Sequence, residues 1–310
     1  MTGARGSRLL VIAGPTATGK TEAAVRVAEH VGGELVGADS VQVYRELDVG
    51  SAKPTPEQLR GIPHHMIDVI DPDEHIDAMR YAELADAAIE RVRARGRVPI
   101  VVGGTGLWIR ALVRGLVLLP KPDEDIRARL AERADAEGLA AMHARLREVD
   151  PRAASQIHPN DRVRILRALE VFEQTGTPMG EHQRRHALGA PRYRTWMAVV
   201  DRSKPGLDAR IERRTRAMIE AGWADEVRHL IGRWGSGVRP FGTVGYAQMR
   251  EHVVDGVPLE ETAQRIVRAT RQYARRQRTW FAGEGYVDWH TDPETLVGPD
   301  GLARLERHLH

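Results

Sequence analysis

Eight residues near the N-terminus, Gly14, Pro15, Thr16, Ala17, Thr18, Gly19, Lys20 and Thr21, spell G-x-x-x-x-G-K-T. That order suits the binding of a polyphosphate. Its glycines let backbone N–H groups curl around an anion, and a helix opening at the lysine adds the positive end of its dipole. Lys20 brings a compact positive charge, and the Thr21 hydroxyl can ligate Mg2+. A second candidate is Asp39, followed by Ser40, Val41 and Gln42. A carboxylate at a strand end can serve as general base or metal ligand, and equally as a turn or cap residue. The third is Gly103-Gly104-Thr105-Gly106, whose glycines permit close backbone approach and whose Thr105 offers a hydroxyl. A tight strand-to-helix turn would use the same residues.

The fourth candidate is basic. In residues 265–281 (RIVRATRQYARRQRTWF), a turn of about 100° per residue puts Arg265, Arg268, Arg271, Arg275 and Arg278 on one face. Ile266, Tyr273 and Trp280 fall on another. Such a stripe fits the phosphate backbone of a nucleic acid, or a solvated face whose acids lie elsewhere in the fold. Arg162, Arg164 and Arg167 form a second basic cluster, which favours nucleic acid. His64 and His65 have no partner at metal-ligand spacing and read as structural.

The elements that must position these residues alternate. Apolar runs at 8–13 (RLLVIA), 34–38 (ELVGA), 65–70 (HMIDVI), 98–102 (VPIVV) and 195–200 (TWMAVV) read as strands. Helical patterns fill 21–31 and about 77–95 between them. This alternation predicts an α/β fold: a mostly parallel sheet carrying the phosphate loop, with helices on both faces. Ligands of such sheets bind outside the carboxyl ends of the strands, where the first three candidates fall. Between 121 and 191 the texture becomes helical and basic, so we expect a two-part chain. Residues 1–120 and 192–310 would form the α/β core, and 121–191 an all-helical insertion. Further helices are expected up to about 234 and again over 259–281, with the closing thirty residues peripheral. The VPIVV strand ends without the aspartate that usually accompanies a nucleotide-hydrolysing phosphate loop, which argues against an ATPase or GTPase.

The chain has 310 residues, 42% of them hydrophobic and 29% charged, as in an ordinary globular protein. Its 46 basic and 43 acidic residues nearly cancel, so the position of the charges carries more information than the net +3. No apolar run reaches the roughly 20 residues of a membrane span, nor does the N-terminus read as a secretory signal. With no cysteine there is neither a disulfide framework nor a thiolate metal site. These features together predict a cytoplasmic protein without a membrane partner.

Taken in order, GPTATGKT, ADSVQVYRELDVGSAKPT, PHHMIDVIDP, VVGGTGLWIRAL, IHPNDRVRILRALEVFEQTG and TRQYARRQRTWF resemble the successive blocks of the tRNA dimethylallyltransferases, also called tRNA isopentenyltransferases. The resemblance implies transfer of the dimethylallyl group from dimethylallyl diphosphate to N6 of adenosine 37, in tRNAs reading codons that start with U, with release of diphosphate. It implies Mg2+ at Thr21, catalytic roles for Asp39, Lys20, Thr21 and Arg210, and a donor diphosphate held by residues 14–21. Contacts to the anticodon stem-loop are implied for Asp39, Ser40, Val41, Gln42, Thr105, Arg127, Val163, Arg164, Arg167, Arg275, Arg276, Gln277, Arg278 and Trp280. The insertion would grip the anticodon stem, and a monomer is the family expectation. Ala282 stands where members often carry a basic residue, and Ala247 where some carry an arginine. The rival readings are the same transfer onto free AMP, ADP or ATP, a phosphate-loop kinase with a mobile arginine lid, and an RNA-binding protein with a vestigial loop.

Overall fold

The computed structural model describes residues 9–117, 119–187 and 190–309. By Cα proximity the chain divides into two compact units, Met1–Gly115 with Pro191–His310, and Leu116–Ala190. In the first unit the described elements are β1 (Leu9–Ala13), α1 (Lys20–Val31), β2 (Gly33–Ala38), α2 (Pro56–Leu59), β3 (His64–His65), α3 (Ala78–Ala94), β4 (Val98–Gly103) and α4 (Gly106–Arg114). The second unit holds α5 (Glu124–Glu137), α6 (Leu139–Val149), α7 (Pro151–Gln156), α8 (Arg162–Thr175) and α9 (Met179–Ala187). The first unit resumes with β5 (Thr195–Val200), α10 (Lys204–Glu220), α11 (Trp223–Trp234), α12 (Tyr246–Asp255), α13 (Leu259–Ala282), β6 (Trp289–Thr291), α14 (Pro293–Leu296) and α15 (Pro299–Leu309).

The strands form one six-stranded sheet in the order β3-β2-β4-β1-β5-β6, parallel throughout. A strand buried on both faces needs a continuous apolar run, and LLVIA of β1 is fully buried along its length. Alternate residues serve opposite faces. Leu10, Ile12, Leu35, Ile100, Val102, Trp196 and Ala198 join one core with Ala24, Val27 and Ala28 of α1 and Leu305 of α15. Leu9, Val11, Val36, Val101 and Met197 point the other way and are equally buried. On that side α3 and α4 pack on β4 and on each other, with Tyr81 stacked on Trp108 at 4.4 Å between ring centroids. The helical unit has its own core, in which Leu130, Met142, Leu146, Ile165 and Leu169 interlock. Among the described residues no helix is long and apolar enough to cross a membrane.

Three expectations need correction. The run 65–70 is strand only at His64–His65, plus an isolated bridge from Ile70 to Tyr44. Met66 and Asp68 take left-handed backbone, at φ 66° and 56°, which no strand tolerates. The closing thirty residues are not peripheral: β6 extends the sheet, and Leu296 and Leu305 are fully buried in its core. A further helix, α12, lies between α11 and α13 where none was expected. His64 and His65 are structural as anticipated. His65 Nε2 lies 2.7 Å from Glu34, and burial pulls His64 down to about 4, keeping it neutral.

Candidate active site at the carboxyl edge of the sheet

Because β1, β2, β4 and β5 are parallel neighbours, the segments that follow them meet at one edge. After β1 comes the phosphate loop. Gly14, at φ 150°, lets the chain turn where a Cβ would stand 2.2 Å from the Val200 carbonyl of β5. Ala17 takes φ 64°, a left-handed conformation that costs a non-glycine residue about 1–2 kcal/mol. The loop's carbonyl oxygens are engaged by cations. Lys20 Nζ donates to Pro15 O (3.2 Å), Arg210 Nε to Ala17 O (3.0 Å) and Arg202 Nε to Thr18 O (2.7 Å). The buried Thr18 hydroxyl also donates to Pro15 O, at 3.0 Å. No acceptor takes the N–H groups of Ala17, Thr18 and Gly19 among the described residues, so they remain for an anion.

Beside the loop lies a cavity of about 440 Å³ lined by Gly19, Lys20, Thr21, Arg210, Arg213 and Arg214, among others. The three arginines share one face of α10, and Arg214 Nη2 also donates to the Thr16 hydroxyl at 2.8 Å. Among the described residues no carboxylate comes within ion-pair distance of these four cations. Burial pulls Lys20 down from 10.5 to about 8, with Asp39 opposing and Arg214 adding to the fall. Burial lowers Arg214 as well, Asp39 again opposing and Arg210 adding.

Asp39 and its successors follow β2. Asp39 Oδ1 accepts the N–H groups of Val41 (2.9 Å) and Gln42 (3.3 Å), the local turn that Asp favours. Among the described residues Oδ2 accepts no hydrogen bond. Gln42 Nε2 donates to the carbonyls of Ser51 (3.0 Å) and Ala52 (3.2 Å), which ties the segment to the cavity wall at Ala52. After β4, Thr105 Oγ1 accepts the Ser40 N–H at 3.1 Å, so the third candidate holds the second in place. Tyr273 lies beside Thr105 and Gln277; burial, helped by nearby Asp39, pushes its hydroxyl up to about 12.

The structure therefore brings Lys20, Thr21, Asp39, Thr105 and Arg210 to one edge. It adds Arg213, Arg214 and Tyr273, which sequence reasoning passed over, although the i, i+3, i+4 spacing of 210, 213 and 214 put the arginines on one helical face. The strand that does end in an aspartate is β5, and Asp201 is already held by Arg278 through Nε (2.7 Å) and Nη2 (2.8 Å).

The basic stripe needs correction. Arg265 pairs with Glu251, Arg271 with Glu212 and Asp208, and Arg278 with Asp201. Arg268, Arg275 and Arg276 are the arginines of α13 left exposed. Gln277 is buried, and Trp280 is half-buried, wedged where a Cβ on Gly106 would meet its ring at 2.2 Å and covered by the Arg110 guanidinium 4.2 Å from its centroid.

The helical unit shows the same sorting. Glu170 is 1% exposed and binds Arg167 (2.9 Å), Arg127 (3.1 Å) and the Asp123 N–H (2.8 Å). Burial would raise its carboxyl, but these donors hold it below the usual range. Arg127 and Arg167 thus answer a buried charge, and Arg162 pairs with Asp135. Val163 is 79% exposed, and Arg164 is exposed with a 3.5 Å contact to Asp161.

Residues 42–284 match the family model described as IPP transferase. The tRNA dimethylallyltransferase of Sorangium cellulosum is 52% identical over 88% of this chain and 87% of its own length. That of Anaeromyxobacter dehalogenans is 47% identical over 96% and 98%. Among solved structures, the full-length tRNA isopentenylpyrophosphate transferase of Bacillus halodurans superposes with a TM-score of 0.69 at 35% identity, over 98% of this chain and all of that one. A eukaryotic dimethylallyltransferase captured acting on tRNA gives 0.76 at 25% identity, over 97% of this chain and 78% of that one. With its strand-end phosphate loop, its unpaired cations and a carboxylate beside them, the chain belongs to the tRNA dimethylallyltransferase, or IPP transferase, family of prenyl-transferring enzymes.

Proposed function

We propose that the protein transfers the dimethylallyl group of dimethylallyl diphosphate to N6 of adenosine 37 in tRNAs reading codons that begin with U. One observation carries this reading. An anion cradle with four cations unpaired by any described carboxylate sits beside Asp39, whose charge acts on both Lys20 and Arg214. The diphosphate lies against the N–H groups of residues 17–19, Lys20, Arg210 and Arg214. The adenine, flipped out of the anticodon loop, enters over Asp39 to Gln42.

The chemistry follows from the placement of charge. The N6 lone pair is delocalised into the ring and attacks weakly, so the proton must leave as the bond forms. N6 bonds to the allylic C1, the C1–O bond breaks, and the electron pair departs with diphosphate. The N6 proton passes to Asp39 Oδ2. Lys20 and the arginines of α10 stabilise the charge growing on the leaving oxygen. Mg2+ fits here through the Thr21 hydroxyl, which lines the cavity beside Lys20, since Mg2+ characteristically takes few protein ligands beside substrate phosphates and water. When bound, it would neutralise part of the diphosphate charge. Arg275, Arg276, Arg164 and Val163, all exposed, are assigned to the RNA.

The test is direct. Purified protein is incubated with Mg2+, dimethylallyl diphosphate and either an anticodon stem-loop with unmodified adenosine 37 or AMP, and N6-dimethylallyladenosine is sought by mass after digestion. Product on the stem-loop alone, lost in Asp39→Ala, is the expected result. Product on AMP alone would move the protein to the free-nucleotide class, and ATP turnover without prenylation would make it a kinase.

A further inference from the structure

We infer that Gln277 is a positioning residue that sets the donor loop against the acceptor side of the site, and not a contact of the RNA. This rests on the transfer reading above. Gln277 is 6% exposed, and its amide joins two strand-end segments. Oε1 accepts the Thr16 N–H at 2.9 Å, inside the phosphate loop after β1. Nε2 donates to the Gly104 carbonyl at 2.8 Å, in the turn after β4. The approach is close: a Cβ on Gly104 would stand 2.5 Å from Nε2 and would displace the amide.

From Gly104 the connection runs on to the base. Thr105, the next residue, receives the Ser40 N–H, and Ser40 follows Asp39. Tyr273, one turn earlier on α13, lies beside Thr105 and Gln277 at the same junction. Thr16, Gln277, Gly104, Thr105 and Ser40 therefore form an unbroken series from the diphosphate cradle to the carboxylate. The transfer needs C1 of the donor held in line between N6 and the leaving oxygen, and a misplacement of about 1 Å costs on the order of 100-fold in rate. The tie also withdraws the Thr16 N–H from any bound phosphate, so the anion meets the loop from residue 17 onward.

A primary amide is needed because the two ends ask for opposite things. Thr16 needs an acceptor and Gly104 a donor. Methionine, of similar length, offers neither in strength. Glutamate offers the acceptor always, but the donor only when protonated; ionised, it sets a carboxylate oxygen against the Gly104 carbonyl. In Gln277→Glu a buried carboxyl is pushed upward, so the tie should re-form as pH falls.

The experiment measures kcat and KM for dimethylallyl diphosphate and for the stem-loop in wild type, Gln277→Met and Gln277→Glu, from pH 8 to pH 6. Gln277→Met should lose about 100-fold in kcat while both KM values move less than about threefold. The ratio of Gln277→Glu to wild-type kcat should climb as pH falls, by up to about tenfold per unit; taking the ratio cancels pH effects common to both enzymes. A stem-loop KM raised with kcat intact would mark Gln277 as an RNA contact and overturn the proposal, as would a ratio flat with pH. Should Gln277→Met fail to fold, the pH ratio of Gln277→Glu decides alone. A wild type that makes no prenylated product would instead sink the transfer reading itself.

Discussion

The cations around the phosphate loop and those along α13 are the same kinds of residue in very different company. On α13, Arg265, Arg271 and Arg278 each meet a carboxylate from another segment. Around the cavity, Lys20, Arg210 and Arg214 meet only carbonyl and hydroxyl oxygens. Two like charges about 4 Å apart repel by about 4 kcal/mol at an effective dielectric of 20, so such a group is held together against its own repulsion. Burial is the main cause of the depressed Lys20, and Arg214 adds to the fall. An arginine answered by a protein carboxylate does structural work, whereas cations gathered without one are arranged for an anion that comes from outside.

The comparison is broken most severely by removing the Asp39 carboxylate, whose charge acts on Lys20 and Arg214. Asp39→Asn keeps an acceptor for the Val41 and Gln42 N–H groups yet cannot take the N6 proton. It should lower kcat by about 10³-fold, within the usual span for a general base, with donor binding little changed. A single-turnover assay with saturating donor checks both parts.

Next in size is the pH response of the cavity cations. A lysine is charged below its pKa, so free enzyme loses the Lys20 charge above about pH 8. The value of kcat/KM for the donor, which reports the free enzyme, should fall above that pH. Bound diphosphate favours the charged lysine, so the same limb in kcat should move to higher pH. Lys20→Arg should abolish the limb near 8, whatever its absolute rate; a limb unchanged in that variant would assign it to another group.

How much of this could be read from the residues depends on how local the determinants are. The phosphate loop and β1 were legible because a fully buried strand needs an unbroken apolar run, and the glycines mark its end. Thr195–Val200 was legible for the same reason. β6 was not, since three residues with partly exposed side chains leave no apolar signature. The run 65–70 looked like a strand because its composition does, while the left-handed turns at Met66 and Asp68 are imposed by the surrounding fold. In the site, Lys20, Thr21 and Asp39 stood out as neighbours of strand ends. The tie between Gln277 and Thr16 spans 261 residues, and only the folded chain reveals it. The partners of the arginine stripe are equally distant, which is why a solvated face and an RNA-binding face looked alike from spacing alone.

The paired arginines sharpen the contrast through stability. Arg278→Ala strands Asp201 half-buried beside the Arg202 backbone, and should cost about 1–2 kcal/mol by denaturant unfolding. Arg213→Ala, removing an exposed cavity residue with no described ion pair, should leave stability within about 0.5 kcal/mol. It should instead raise the KM for the donor. A stability loss in the second variant comparable to the first would erase the distinction between structural and receptive cations.

The smallest effect probes α13 itself. Arg275 and Arg276 are exposed, and Arg271, on the same helix, is committed to Glu212 and Asp208. A cation that neutralises an RNA phosphate releases a counterion, so each one removed should reduce the slope of log K against log salt by about 1. Arg275→Ala and Arg276→Ala should each show this reduction in stem-loop binding, with the KM for dimethylallyl diphosphate unchanged. Arg271→Ala should leave the slope alone, because its charge is already answered within the protein, and its loss frees Glu212 at the surface. Equal slopes for all three variants would mean that pairing in the free protein does not decide which arginines meet RNA, and that ion pairs on α13 open when the stem-loop docks.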